Sequence, residues 1–275
     1  MSIVVNTNLY SLNAQRNLQN SSSAQSMAME RLSSGLRINN ASDDAAGLSI
    51  ADKLGRDVRV AAQAIRNAND GISALSIGEK ALGNVTDILT RLSELASQSA
   101  TGTVTNTQRS AIQQEFNQLL SEITRISAVT TFNGVQLLSG GTTVNVQVGL
   151  DGSTNSQISF STVDGSLSGI LAGNTAIAAD TAANAQTALG VLTSAIATVA
   201  QTRGTLGAYE SRLSTAIASL NVAKENFAAA ESRIRDADIA EETANLTRAQ
   251  ILQQAGTAVL AQANQQPQLA LRLLQ

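Results

Sequence analysis

The sequence predicts a mainly α-helical protein, an elongated antiparallel helical bundle or coiled coil with one small β-hairpin region. Three observations carry this. A single proline, Pro267, interrupts 275 residues, so almost the whole chain is free to be helical. Apolar residues recur in steps of three and four over very long stretches. Aromatic residues make up only 2% against 43% apolar overall, so the core must be packed with Leu, Ile, Val and Ala. Such small groups suit close helix-to-helix contact.

Residues 3–33 read as a helix of weak charge, with Leu9, Leu12, Leu18, Met27 and Leu32 as its larger apolar groups. A Ser/Asn-rich tail is the competing reading of that stretch. SGLRINNAS, 34–42, is a connector, since Gly35, Asn39 and Asn40 favour turns. Asp43 and Asp44 then stand where a helix begins, facing its positive end. From there a helix runs to about Ser99, with a seam of Leu75, Gly78, Leu82, Val85, Leu89, Leu92 and Ala96. At 1.5 Å per residue it is about 85 Å long, a length rare in compact globules.

TGTVTNT, 101–107, is a turn, and a second helix follows from about Gln108 to Ala128. Its stripe is Ile112, Phe116, Leu119, Ile123 and Ile126, and the short connection makes it fold back antiparallel. The period then changes to two. Val144, Val146, Val148 and Leu150 alternate with polar residues and glycine, and Ile158 and Phe160 continue the alternation beyond a turn at 151–155. That is a β-hairpin. Residues 161–180 read as loop.

Helix resumes near Thr181 with Ala185, Leu189, Leu192, Ile196, Val199, Arg203 and Leu206. The register slips by one around Gly204 and Gly207. It then runs through Tyr209, Leu213, Ala216, Leu220, Ala223, Phe227, Ala230, Ile234 and Ala237. Rod packing is therefore assigned to Leu82, Leu89, Phe116, Leu220, Phe227 and Ile234. The last segment, 238–273, carries no charge from Ala249 to Leu271. Ile251, Leu252, Ala255, Val259 and Leu260 spread widely around its helical wheel, and wet apolar faces of this kind are adhesive. Leu9, Leu12 and Leu18 cover one side of it, and the other faces meet further subunits. Both ends are expected to lack a core of their own and to order on assembly.

Composition removes most chemistry. The chain has no His and no Cys, which excludes the usual triads, thiol catalysis, disulfides and common zinc sites. Net charge is −3 with no basic block, so nucleic-acid binding has no electrostatic basis. No phosphate-binding glycine loop is present. Asp43-Asp44 and Glu241-Glu242 are adjacent and do not face each other on a helix, so they make no acid/base couple. Arg31, Arg37, Arg56, Arg59 and Arg66 read as salt-bridging groups. No window matches a membrane span, and the first twenty residues do not match a secretory signal. The expectation is no enzyme activity, no cofactor and no membrane insertion.

ERLSSGLRINNASDDAAGLSIADKL at 30–54, RNANDGIS at 66–73, RLSELASQSA at 91–100 and TFNGVQLLSG at 131–140 resemble the N-terminal pattern of bacterial flagellins. SRIRDADIAEE at 232–242 and AQILQQAGTAVLAQANQQPQ at 249–268 resemble their C-terminal pattern, and VNTN at 5–8 stands where the family has INTN. The resemblance implies a self-assembling subunit of the helical flagellar filament, a minimal member without large outer domains. It implies an inner domain of paired terminal helices, 1–42 with 238–275, and a rod, 43–237, that includes the hairpin and loop region 131–180. It further implies export through the flagellar apparatus, unfolded and without a cleaved signal. The partners it implies are an export chaperone, a filament cap protein, a hook-filament junction protein and an innate Toll-like receptor. The matching receptor positions are Arg91, Leu95, Gln98 and Glu115, with Ser93 and Ser97 as local departures. A surface adhesin and a hook-junction protein of the same fold are the rival readings.

Overall fold

The computed structural model describes the backbone of residues 7–273 and the side chains of 7–265. The match at Val5 and Asn6, the last two residues, and the side chains of 266–273, Pro267 among them, lie outside the described residues. In chain order come α1 (Leu9–Ser34), α2 (Ala45–Ala100), α3 (Asn106–Val129), β1 (Thr131–Phe132), β2 (Val135–Gln136), β3 (Thr143–Gln147), β4 (Gln157–Ser161), α4 (Leu167–Ile170), α5 (Ala182–Arg235) and α6 (Ile239–Leu273). The protein is mainly helical, with its terminal helices paired and a small hairpin, as the sequence predicts. It divides into two units, 1–58 with 226–275, and 59–225.

Helix ends follow from local chemistry. Asn8 caps α1, its Oδ1 accepting the Ser11 N–H at 3.1 Å. Gly35 ends α1 in a left-handed conformation, φ 72°, and returns its N–H to the Arg31 carbonyl. Asp44 Oδ1 accepts the Gly47 N–H at 2.8 Å and starts α2. A capping box of Thr105 and Gln108 opens α3 two residues before the expected start. Asp238 caps α6 through the N–H groups of Ala240 and Glu241.

Asp43 does a separate job. Its carboxylate accepts the N–H groups of Asn39 and Asn40 and so folds the connector back on itself. Those backbone bonds, that from Asn40 first, hold its pKa below the ordinary 3.8. A depressed folded pKa means this stabilisation is present above the unfolded value and is lost as pH falls through the folded one. Asp43→Asn should therefore lower stability near neutral pH, and the deficit against the parent chain should shrink below about pH 3.8. Chemical unfolding of both chains along a pH series checks this. A deficit constant with pH refutes the assignment.

In the unit spanning 59–225 one apolar core joins α2, α3, α5 and the hairpin. The α2 seam is buried as expected from Leu75 to Ala96. In α3 the stripe of Ile112, Phe116, Ile123 and Ile126 is buried, but between Phe116 and Ile123 it is Leu120 that is buried, and Leu119 is half-buried. The α5 seam differs from expectation in register. Ala185, Leu192, Val199, Leu206, Leu213 and Leu220 are buried at every seventh position, with Ala188 and Ala195 between them. Leu189 and Ile196 are only half-buried, so no slip occurs at Gly204. An unbroken seven-residue repeat favours left-handed supercoiling.

The hairpin is β3 against β4, antiparallel from Thr143↔Ser161 to Gln147↔Gln157. Val146, Ile158 and Phe160 face the core. Gly71 of α2 makes room, since a Cβ there would stand 3.0 Å from Val146. Val148 and Leu150 fall outside the ladder. The Ser156 carbonyl accepts the N–H groups of both Val148 and Gly149, and the extra residue ends the pairing. The two side chains instead pack on Ala61, Ala64 and Leu220. Residues 161–180 are more than loop. Ser166 caps α4, and Ile170, Leu171, Ile177 and Ala179 are buried.

Candidate assembly surface

α1 and α6 run antiparallel. Asn8 Nδ2 donates to the Ala263 carbonyl at 2.8 Å, and Ser11 Oγ to Asn264 at 2.9 Å. At the far end Arg31 pairs with Glu242 at 3.1 Å. Between these anchors the contact is lined by small residues. Ser11, Ala14 and Ala28 are buried on α1, and Ala249 and Ala263 on α6. Leu18 presses on Gly256, where a Cβ would meet it at 3.2 Å. The connectors join the same unit. Arg37 N–H donates to the Arg235 carbonyl, Ala237 N–H to the Gly35 carbonyl, and Leu36 bridges Asp236.

The seam uses few of the residues assigned to assembly. Leu18 and Leu260 are half-buried. Leu9, Leu12, Ile251, Leu252, Ala255 and Val259 are exposed, Leu9 at 62% and Val259 at 58%. The expectation that Leu9 and Leu12 cover α6 is thus corrected. A leucine would hold the helices apart, whereas serine and alanine let them close. The expected pairing of the two ends is present within the single chain, through this small-residue seam. What remains uncovered is the outside of the pair, where Tyr10, Met27, Met29 and Ile239 are exposed too.

The rod residues divide. Leu82, Leu89, Phe116 and Leu220 are buried. Phe227 and Ile234 keep the α5 register but are half-buried, not the fully buried sites expected. Of the receptor positions, Arg91, Gln98 and Glu115 are exposed. Leu95 is 2% exposed and belongs to the core, so it offers no accessible surface. Arg91 bonds Glu115 at 2.8 Å and Glu94 at 3.0 Å. The bond to Glu115, then that to Glu94, raises its pKa and keeps the guanidinium charged.

Periodicity and motif reading pass over Arg109. This cation is buried, has no carboxylate partner among the described residues, and donates to the carbonyls of Ser99 at 2.8 Å and Thr101 at 3.0 Å. It satisfies the carbonyl end of α2, where the helix dipole favours positive charge. A basic residue directly after the Thr-x-x-Gln box, Arg109 following Gln108, was the available clue.

Among the described residues no cluster of acidic groups is placed to hold a metal, and no helix is long and apolar enough to cross a membrane. The family model described as bacterial flagellin N-terminal helical region matches residues 5–143. That described as bacterial flagellin C-terminal helical region matches 189–274. The chain belongs to the bacterial flagellins. It is 44% identical over 276 residues to a flagellin of Halalkalibacterium halodurans, covering 99% of this chain and 100% of that one. It is 38% identical to the flagellin of Bacillus subtilis, covering 98% and 99%. It is also 39% identical to the flagellar filament 33 kDa core protein of Treponema phagedenis, covering 99% and 100%. A crystal structure of Bacillus cereus flagellin superposes with a TM-score of 0.51 at 28% identity, over 56% of this chain and 88% of that one. As a flagellin it is a structural subunit, not an enzyme, of a family that self-assembles into the extracellular flagellar filament.

Proposed function

We propose that this flagellin forms the filament by burying the outer faces of α1 and α6 against neighbouring copies. Residues 1–42 with 238–275 form the innermost layer, and 43–237 the layer around it. The observation that carries this is the crowding of exposed Leu9, Leu12, Ile251, Leu252 and Val259 on one helix pair whose C-terminal part lacks charge. Apolar faces of that extent are unfavourable in water. A contact that does not close on itself repeats into a helical tube.

The sequence resemblance supports the remaining partners. An export chaperone and the flagellar export apparatus deliver the chain unfolded, without cleavage of a signal. A cap protein guides insertion at the tip, and a hook-filament junction protein holds the base. Arg91, Gln98 and Glu115 are the accessible positions for an innate Toll-like receptor. Near end-to-end matches to flagellins favour the filament over an adhesin or a junction protein.

Electron imaging of the purified polymer, with limited proteolysis of monomer and polymer, tests the layer assignment. Expected are tubes whose α1 and α6 resist protease far better than in the monomer, while α2 and α3 resist in both. Equal cleavage of α6 in both forms overturns the inner-layer placement.

A further inference from the structure

We propose that Asn133 is a site of spontaneous deamidation, with the amide nitrogen of Gly134 as the nucleophile. Asn133-Gly134 is the one Asn-Gly dipeptide in the sequence. It forms the two-residue turn between β1 and β2, at φ 47° and 80°. Both residues are exposed, and a Cβ at Gly134 would meet nothing within 4 Å. The absent side chain and the open space beside Gly134 leave little to crowd an approach of the Asn133 carboxamide to its neighbour's nitrogen.

The arms of this turn are two residues each, Phe132↔Val135 and Thr131↔Gln136. A ladder that short is marginal by itself, so local opening lets Asn133 rotate into the attacking geometry. The Gly134 nitrogen then bonds to the side-chain carbonyl carbon of Asn133 and loses its proton. The carbon–nitrogen bond of the carboxamide breaks, and ammonia leaves. Water opens the resulting cyclic imide at either carbonyl, giving aspartate or isoaspartate.

Other candidate bonds are better held. Asn20-Ser21 lies inside α1, where backbone hydrogen bonds fix the torsion. Asn155-Ser156 lies in a 3-10 turn whose Ser156 carbonyl accepts the N–H groups of Val148 and Gly149. Asp151-Gly152 is exposed, but the Asp151 carboxylate accepts bonds from Ser153 and Ser156. Those bonds, that from Ser156 first, lower its pKa, and an ionised carboxylate is a poor electrophile.

The product matters to the fold. Isoaspartate adds a methylene to the backbone of a two-residue turn and breaks the register of β1 and β2. Directly beyond β2, Leu137 and Leu138 are buried, tied by Leu137 N–H to the Thr130 carbonyl and by Ser127 Oγ to the Leu138 carbonyl. A displaced turn pulls on this anchor.

The test is incubation of the full chain, folded and in denaturant, in mildly alkaline buffer, with peptide mass spectrometry over time. Expected in the folded chain is exchange of the amide for a hydroxyl at Asn133, with isoaspartate present, at least about tenfold faster than at Asn20 or Asn155. Asn133→Gln should remove the signal, and an unchanged circular dichroism spectrum shows that the variant folds. Conversion in denaturant but not in the folded chain overturns the proposal, because the turn then locks the torsion. Equal conversion at Asn20 and Asn155 overturns it too.

Discussion

A Val259→Asp chain is expected to fold and to remain monomeric. Val259 is 58% exposed in the single subunit, so the new carboxylate stays hydrated there and α6 keeps its seam with α1. In the proposed assembly the same face meets a neighbour within a stretch that has no charge from Ala249 to Leu271. Nothing in that stretch can pair with the carboxylate, and an unpaired buried charge costs several kcal/mol. Every subunit carries that cost. At about 1.4 kcal/mol per tenfold, the critical concentration should rise by a hundredfold or more. Thr103→Asp, in the exposed turn between α2 and α3, is the matched control. Ser156 would be a poor control, since its hydroxyl bonds Asp151 and a second carboxylate there would repel. Sedimentation and circular dichroism decide the matter. Normal polymer from Val259→Asp would remove the buried-face proposal and revive the adhesin reading.

Elements were legible wherever large apolar groups set the period. The α2 seam, the α3 stripe and the alternation at 144–146 and 158–160 all have Leu, Ile, Val or Phe at the buried positions. Errors arose where helices approach closely and the smaller neighbour takes the inside place. At 188–189 and 195–196 the larger residue drew the assignment, yet Ala188 and Ala195 are buried. The same holds for α1, where Ser11 and Ala14 lie inward and Leu9 and Leu12 outward. Size-weighted periodicity is blind to such seams, because distance of approach and not side-chain volume selects the residue. The apolar surplus of α6 was legible for the converse reason, as groups too widely spread around the helix to find a place inside one chain. The buried 170–179 segment was not, since it depends on tertiary neighbours far away in sequence, and Arg109 was not, since its partners are backbone carbonyls of the preceding turn, which carry no side-chain signal.

Phe116→Ala should destabilise the chain by about 3–5 kcal/mol, the range for a fully buried phenylalanine. Its ring is 0% exposed, in a core closed by α2, α3 and the 170–179 segment, so the surroundings cannot collapse readily into the space. Phe227→Ala, at an equivalent step of the α5 seam, should cost the monomer markedly less. That ring is half-buried, and the water already at its open side fills the space left by truncation. The heptad register places it as though a partner were coming, in line with Leu213 and Leu220. If a neighbouring copy closes over it in the polymer, the missing part of the effect appears there, as a lower melting temperature of the filament. Urea unfolding of monomer and thermal melting of filament, for both variants, separate the two environments. Equal losses in the monomer would mean that Phe227 is core within a single chain. A Phe227→Ala filament that melts like the parent would mean that its open side faces solvent in the assembly as well.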